Sequence, residues 1–199
     1  MRVLIACEFS GIVRDAFTAR GHDATSCDLL PSERPGKHYQ GDVRNIINQE
    51  WDLLIAHPPC QYLSYAAVHV WNKPGRAEKR KDAMAFFMFF INAPIEKICV
   101  ENPVGYPNTI YKKPDQIIHP YYFGDSFKKR TCLWLKNLPL LQYIPQPEPK
   151  PLYYRKTGKA KGKKIHLTEG IHSSVDRSRT FPAIAKAMAE QWVLGLQEK

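Results

Sequence analysis

The hydrophobic and polar positions in the first half of the chain alternate between strand-like and helix-like patterns. Short apolar runs at residues 2–6 (RVLIA), 52–56 (DLLIA) and 97–100 (KICV) predict strands that are covered on both faces. Gly11 opens a segment with apolar residues at helical spacing, and residues 78–92 have no proline and a wide apolar face. The pattern therefore predicts strands that alternate with helices.

The rest of the chain adds weaker signals. Residues 24–28 (ATSCD) and 131–135 (TCLWL) predict further strands, and residues 182–196 predict a closing helix that starts with proline. Residues 142–151 (QYIPQPEPKP) are too rich in proline for a regular element. The basic run 155–164 (RKTGKAKGKK) is either a solvated loop or a loop that follows phosphates.

These elements together predict an α/β fold. Strand–helix–strand alternation at this spacing favours a Rossmann-like, mostly parallel sheet with helices on both faces. A length of 199 residues suits a single domain over 1–199, and an irregular basic insertion is expected at about 139–178.

Composition and charge narrow the class of protein. Hydrophobic residues make up 44% of the chain, which is typical of a globular domain. The longest apolar stretch, 83–91, is too short to span a bilayer, and the N-terminus lacks a signal-peptide cleavage pattern, so a cytoplasmic location is expected. The net charge of +10 favours a polyanionic partner but indicates no chemistry by itself.

The cysteines point to one candidate nucleophile. Five cysteines with no CxxC pair argue against a disulfide framework and against a structural zinc site, and no metal site is expected. Four of them lie in apolar runs and are expected to be small buried residues. Cys60 differs because it follows two prolines just beyond a strand, although a structural thiol in a tight turn is the alternative.

Polar residues follow the predicted strands where ligands bind in an open parallel sheet. Gly11 would let the backbone approach a ligand closely, and Asp28 ends the second strand, where an acidic residue accepts the ribose hydroxyls of a nucleotide. Asp42 precedes the next core strand, Cys60 follows it, and Glu101 follows the later one. The full GxGxxG pattern is absent, which counts against a dinucleotide.

The pairing of Cys60 with Glu101 indicates a reaction class. A carboxylate beside a thiol disfavours hydrolysis, because it would raise the thiol pKa. The pair suits addition of the thiol to an electron-poor ring while a protonated carboxyl donates to a ring nitrogen. His57 could serve a Cys–His hydrolase, but a structural or substrate-lining role is favoured.

Three motifs carry a resemblance to a known family. Phe9-Ser10-Gly11, Pro59-Cys60-Gln61 and Glu101-Asn102-Pro103 resemble, in this order, the cofactor turn, nucleophile loop and acid motif of the cytosine-C5 DNA methyltransferases. Arg130, within KKRTCLW, resembles the family's basic motif before a late strand, and the helix after Arg179 resembles the final helix that packs on the cofactor turn. The chain looks most like the short versions found in bacteriophages and prophages.

The resemblance implies S-adenosylmethionine as methyl donor and cytosine in DNA as acceptor, with Cys60 attacking ring carbon 6 and Glu101 assisting at ring nitrogen 3. Arg130, the third implied catalytic residue, would contact the base or a phosphate, and the base would be flipped out of the duplex. The implied cofactor residues are Phe9, Ser10, Gly11, Asp28, Asp42 and Pro58. The implied nucleic-acid contacts are Gln61, Asn102, Lys128, Lys129, Lys159, Lys161, Lys163 and Lys164.

Departures from the family pattern keep the substrate open. Val13 replaces the second glycine of the cofactor turn, and Pro103 replaces the valine of the acid motif. Cys7 replaces the usual acidic residue of the turn, for which the adjacent Glu8 is a candidate substitute. Only residues 139–178 stand where the family has a large target-recognition region. Three functions are therefore considered: a DNA methyltransferase of low specificity or with a specificity partner protein, the same chemistry on a nucleotide or RNA, and a non-catalytic relative that binds nucleic acid or cofactor.

Overall fold

The first strand, β1 (Arg2–Ala6), lies inside the sheet rather than at an edge, and its apolar residues from Val3 to Ala6 are fully buried. In this computed structural model β1 pairs in parallel with a strand on each side. The structure describes residues 1–151, 153–154, 156–158, 161–162, 164–165 and 179–193.

The described residues form strands and α-helices that follow one another along the chain. The strands are β1 (Arg2–Ala6), β2 (Asp23–Asp28), β3 (His38–Gln40), β4 (Leu53–Ala56), β5 (Lys97–Pro103), β6 (Gln116–Ile118), β7 (Thr131–Lys136), β8 (Tyr153–Tyr154) and β9 (Lys164–Ile165). The α-helices are α1 (Ile12–Thr18), α2 (Arg76–Ile91), α3 (Pro107–Ile110) and α4 (Pro182–Gln191). Short 3-10 helices span Val43–Asn45, Tyr65–Val70 and Pro120–Phe123.

The main sheet has seven strands in the order β3-β2-β1-β4-β5-β7-β6. The first five of these pair in parallel, and β7 runs antiparallel to both β5 and β6. Helices cover both faces, so the predicted α/β Rossmann-like fold with a mostly parallel sheet is confirmed. Strands β8 and β9 form a separate antiparallel pair within the predicted insertion, much of which lies outside the described residues.

Alternate residues of the strands feed two hydrophobic cores, because successive side chains in a strand point to opposite faces. Leu4 of β1 packs in the core beneath α2, together with Phe87 and Phe90 of that helix. Val3 packs in the core beneath α1 and α4, together with Phe17. Helix α4 thus returns to pack on α1, as expected for the closing helix.

The sequence prediction missed two strands of the main sheet. Strands β3 and β6 have three residues each and contain polar side chains, so they lack the buried apolar run that marked the other strands. Helix α4 ends at Gln191, and the residues from 194 onward that the prediction included lie outside the described part of the chain. The division into a single domain over 1–199 remains a prediction.

The cysteines and the described helices bear on two further expectations from the sequence. No disulfide joins the five cysteines, all of which are described. Three of the four cysteines expected inside the core, Cys27, Cys99 and Cys132, are buried, while Cys7 is half-buried and Cys60 is exposed. Among the described helices, none combines the length and the apolar character needed to cross a bilayer.

Candidate active site and cofactor pocket

The turn between β1 and α1 is organised by the buried carboxylate of Glu8, which is 4% exposed. Its Oε1 accepts the backbone N–H of Val13 at 2.7 Å and the hydroxyl of Ser10 at 3.1 Å. Its Oε2 accepts the N–H of Arg14 at 3.4 Å. Glu8 therefore occupies the N-terminus of α1, the place where Rossmann-like proteins that bind dinucleotides hold a phosphate.

Arg14 fixes the loop that follows β2. Its guanidinium is buried, and it donates to the hydroxyls of Ser26 and Ser32 at 3.1 and 2.9 Å and to the carbonyl of Pro35 at 2.9 Å. Gly11 has a φ of 72°, and a Cβ there would lie 2.4 Å from this guanidinium. The positive φ and the buried guanidinium of Arg14 therefore both favour glycine at position 11.

A cavity of about 260 Å³ lies beyond the ends of β1 and β2 and beside β4. It is lined by Cys7, Cys27, Asp28, Leu29, Gly41, Asp42, Val43, Arg44, Pro59 and Phe86. Two of the predicted cofactor residues, Asp28 and Asp42, thus share one cavity with a largely apolar lining. Its residues could hold the nucleoside portion of a cofactor, with carboxylates for the hydroxyls and an aromatic ring for the base.

The second carboxylate of the cavity is held by Arg44. Asp42 accepts the backbone N–H of Arg44 at 2.9 Å and its guanidinium at 2.8 Å. The backbone hydrogen bond is the main reason why the pKa of Asp42 lies below its usual value, with burial opposing it. The guanidinium carbon also lies 5.1 Å from the centroid of the Phe86 ring, so Arg44 joins the loop after β3 to helix α2.

The remaining predicted cofactor residues lie around the cavity rather than in its lining. Ser10 is buried and its hydroxyl is bound to Glu8, and Gly11 faces Arg14. The ring of Phe9 lies 6.0 Å from the Arg179 guanidinium carbon. Pro58 is buried and its exposed neighbour Pro59 lines the cavity, so the contact of Pro58 with a cofactor stays a prediction.

The register of β4 and β5 brings the two catalytic segments together. Ala56 at the end of β4 pairs with Val100, so His57 lies opposite Glu101. Nδ1 of His57 lies 3.2 Å from Oε2 of Glu101, and the ring is 7% exposed. Cys60 follows three residues after His57 and is exposed at the same edge of the sheet.

The carboxyl group of Glu101 is ionised in the free protein. Burial raises its pKa, but the hydrogen bond from His57 and the positive charge of Lys129 outweigh burial, and the net pKa is below its usual value. Because an ionised carboxylate can only accept, Nδ1 of His57 donates to it. Nε2 of His57 is buried and has no hydrogen-bond partner among the described residues. The predicted donation from a protonated Glu101 concerns the complex with a bound ring and stays a prediction.

Four of the five thiols are unsuited to be nucleophiles. Burial raises the pKa of Cys27 to about 12, with the charges of Asp28 and Asp42 adding to the effect. Burial is also the main cause of the raised pKa values of Cys7, Cys99 and Cys132. Since the thiolate is the attacking species, only the exposed Cys60 keeps the accessibility that a nucleophile needs.

Asn102 positions the loop that carries Cys60. Its side chain is 1% exposed, and Nδ2 donates to the carbonyl of Pro58 at 2.8 Å. Its amide therefore links β5 to the loop that carries Cys60. The predicted contact between Asn102 and nucleic acid stays a prediction.

The basic residues before β7 differ in their surroundings. The positive charge of Lys129 lowers the pKa of Glu101. The Nζ atom of Lys129 lies 5.5 Å from the centroid of the Phe181 ring. Arg130, which was predicted to be catalytic, is exposed, and Lys128 binds Glu148 at 2.7 Å. Lys129 rather than Arg130 therefore lies at the acid end of the site.

The remaining predicted nucleic-acid contacts are only partly described. Gln61 and Lys161 are exposed. Lys159 and Lys163 lie outside the described residues, and the side chain of Lys164 does as well. Their binding of nucleic acid remains a prediction.

The sequence reasoning missed several residues that shape the site. Glu8 and Arg44 were not assigned their roles, and Phe86 was treated only as part of an apolar helix face. A small cavity also joins Glu101 and Lys129 to Arg179, which binds Glu33 through Nε at 2.8 Å. The role of Arg44 could have been suspected from the sequence, because Arg44 lies only two residues after Asp42. The sequence contains no comparable sign that Phe86 would reach the cavity.

Comparisons with known proteins do not assign a reaction to this chain. No protein-family model matches the chain. No curated protein matches it in sequence. Among solved structures, the Entamoeba histolytica methyltransferase EhMeth is similar at 17% identity and a TM-score of 0.46, over 75% of this chain and 57% of that one. The chain thus spans less than two thirds of that protein, and a similarity this distant does not assign a reaction.

Proposed function

We propose that the protein transfers a methyl group from S-adenosylmethionine to carbon 5 of cytosine in DNA, with Cys60 as the nucleophile. One observation carries the proposal, namely the loop from His57 to Cys60. In this loop Pro59 lines the nucleoside-sized cavity, His57 binds Glu101, and the exposed Cys60 follows directly after Pro59. We infer that a donor in the cavity and a ring beside Glu101 would both be within reach of this short loop.

The residues of the cavity fit this donor. S-adenosylmethionine is a nucleoside cofactor without phosphates, and the helix N-terminus that would bind a phosphate is filled by Glu8. Asp28 and Asp42 would accept the ribose hydroxyls and the polar edge of the base, and Phe86 would pack against its face. When bound, the donor supplies an electrophilic methyl group.

Cys60 and Glu101 would act on opposite sides of the reacting ring. The thiolate of Cys60 adds to ring carbon 6, and the electron density displaced by the new S–C bond is stabilised by a proton that Glu101 donates at nitrogen 3. Carbon 5 then acts as the nucleophile and would take the methyl group as that group's bond to the donor's sulfonium sulfur breaks, with S-adenosylhomocysteine as the leaving product. A base, such as water, would remove the proton on carbon 5, which re-forms the ring double bond and expels the thiolate, and nitrogen 3 would return its proton to Glu101.

The ionised state of Glu101 makes His57 part of this proposal. A carboxylate cannot donate, so Glu101 must gain a proton when the ring binds. Nδ1 of His57 already lies 3.2 Å from the carboxylate, and a protonated His57 could pass that proton on. Asn102 would keep the loop in place during this transfer through its bond to Pro58.

The test is transfer of label from radioactive S-adenosylmethionine to cytosine-containing DNA, RNA and cytidine nucleotides, each incubated separately. The proposal expects label in DNA, at carbon 5 of cytosine after digestion. Label found only in RNA or in nucleotides would show that DNA is not the substrate, while the proposed reaction on cytosine would stand. Absence of label in all three, with donor binding measured by calorimetry, would refute catalysis and favour a cofactor-binding relative.

A further inference from the structure

The segment between Cys60 and helix α2 carries aromatic rings that are covered by basic side chains. The guanidinium carbon of Arg76 lies 4.7 Å from the centroid of the Tyr62 ring. That of Arg80 lies 4.5 Å from Trp71 and 5.4 Å from Tyr106. We call the set of Tyr62, Trp71, Arg76, Lys79, Arg80 and Tyr106 the aromatic–basic ridge.

The ridge is attached to both catalytic segments. Tyr62 follows Cys60 by two residues, and Tyr106 lies three residues after the end of β5. The N–H of Tyr106 donates to the carbonyl of Leu63 at 2.8 Å, and Leu63 is fully buried. A Cβ at Gly105 would lie 2.2 Å from that carbonyl oxygen, so only glycine allows this approach. The ridge is therefore fixed in place beside the nucleophile.

The positive charge of this region is not compensated. Residues 73–82 contain five basic and two acidic residues, and within the described chain none of these basic side chains forms an ion pair. The basic residues near the cofactor cavity differ, since Arg14 and Arg34 bind Asp15 and Arg44 binds Asp42. Unpaired cations clustered beside a candidate active site favour an anionic partner.

The form of the ridge indicates which anion it suits. A guanidinium stacked on an aromatic ring is held flat, and its N–H groups stay available at the edge for the oxygens of a phosphate. Arg76 and Arg80 provide two such guanidinium groups, and the ammonium of Lys79 adds a third cation over Tyr62, whereas a free nucleotide carries its phosphates at a single point.

We propose that the aromatic–basic ridge binds the phosphodiester backbone of a nucleic-acid strand, so that the target base reaches Cys60 as part of a polymer. The proposal deepens the proposed function, and it rests on that function only for the identity of the reacting base. The ridge would then be a nucleic-acid contact surface that lies outside residues 139–178.

The test measures binding by fluorescence anisotropy with a labelled cytosine-containing DNA duplex, the same strand alone and the matching RNA, over a series of salt concentrations. The variant is Arg76→Gln with Arg80→Gln. The control is Lys97→Gln, because Lys97 begins β5 at the opposite edge of the sheet. We expect the slope of log affinity against log salt to become shallower by about two for the ridge variant and by less for the control.

Folding is checked by circular dichroism, and Lys79→Gln provides a second variant, at an exposed lysine of the ridge, if the first variant is unstable. Binding of duplex, single strand or RNA with a slope that depends on the ridge supports the proposal and identifies the polymer. A ridge variant whose slope equals that of Lys97→Gln overturns it. All measurements are repeated with Cys60→Ser, since binding does not require the thiol. Ridge-dependent binding without methyl transfer would therefore refute only the reaction.

Discussion

Replacing Glu8 by alanine tests the claim that a side chain, rather than a ligand phosphate, occupies the N-terminus of α1. The substitution removes the acceptor of two backbone N–H groups, those of Val13 and Arg14, in a place that water does not reach. Glu8→Gln keeps one oxygen that can accept from Val13 but removes the negative charge. The two variants thus separate the hydrogen bond from the interaction of the charge with the helix dipole.

The magnitude follows from the two distances. The bond from Val13 is 2.7 Å long and its acceptor is charged, which makes it worth about 1.5–3 kcal/mol. The bond from Arg14, at 3.4 Å, adds about 0.5 kcal/mol, and the dipole interaction adds about 0.3–1 kcal/mol. We therefore expect Glu8→Ala to lower the free energy of unfolding by about 2–4 kcal/mol and Glu8→Gln by about half as much.

Urea unfolding followed by circular dichroism measures both changes. The matched control is Glu50→Ala, because Glu50 is an acidic residue whose side chain is fully exposed, and its removal should leave the midpoint unchanged. The reasoning is refuted if Glu8→Ala unfolds at the same urea concentration as Glu50→Ala. It also fails if Glu8→Gln is less stable than Glu8→Ala.

Three further predictions concern the cofactor, the loop and the effect of pH. Asp28→Asn should weaken binding of S-adenosylhomocysteine by about 10–100-fold in calorimetry, since a charged acceptor is lost, whereas Asp23→Asn at the other end of β2 should not. Equal affinities for both variants would exclude Asp28 from the pocket. Asn102→Ala should lower kcat by at least about tenfold and leave donor binding intact, because the nucleophile loop loses its anchor; an unchanged kcat would contradict this role. The pKa of Glu101 lies below its usual value, so its carboxylate stabilises the fold at neutral pH, and this contribution is lost as the pH falls below the usual pKa of a glutamate and through the lowered pKa of the folded protein. The stability advantage over Glu101→Gln in urea should thus narrow in acid, and an advantage that widens would be evidence against the pairing with His57.

Much of the fold could be predicted because its central strands carry an unmistakable signal. The runs that became β1, β4 and β5 are buried on both faces, and only a parallel sheet covered by helices buries such runs completely. The same topology predicted that Cys60 and Glu101 would meet at one edge, since their strands are neighbours. Strands β3 and β6 were not predicted because they are short and have no strand pattern of their own. They form by pairing with the neighbouring strands β2 and β7.

The electrostatics of the site could not be read from spacing. Whether Glu101 is ionised depends on the direction in which His57 and Lys129 point, and a sequence pattern contains no such directions. The burial of Asn102 was hidden for a similar reason, because β5 continues through Pro103 instead of ending at Val100. Glu8 was noted only as a candidate substitute beside Cys7, and its capping of α1 requires the turn at Cys7, where φ is 57°.

The most direct test of the central claim is the formation of a covalent complex with DNA that contains 5-fluorocytosine, in the presence of S-adenosylmethionine. Fluorine at carbon 5 cannot leave as a proton, so the adduct between Cys60 and carbon 6 should accumulate and survive a denaturing gel. We expect this complex with the wild-type protein and none with Cys60→Ser. A complex that persists in Cys60→Ser would contradict the assignment of Cys60. So would its absence from a wild-type protein that methylates ordinary cytosine.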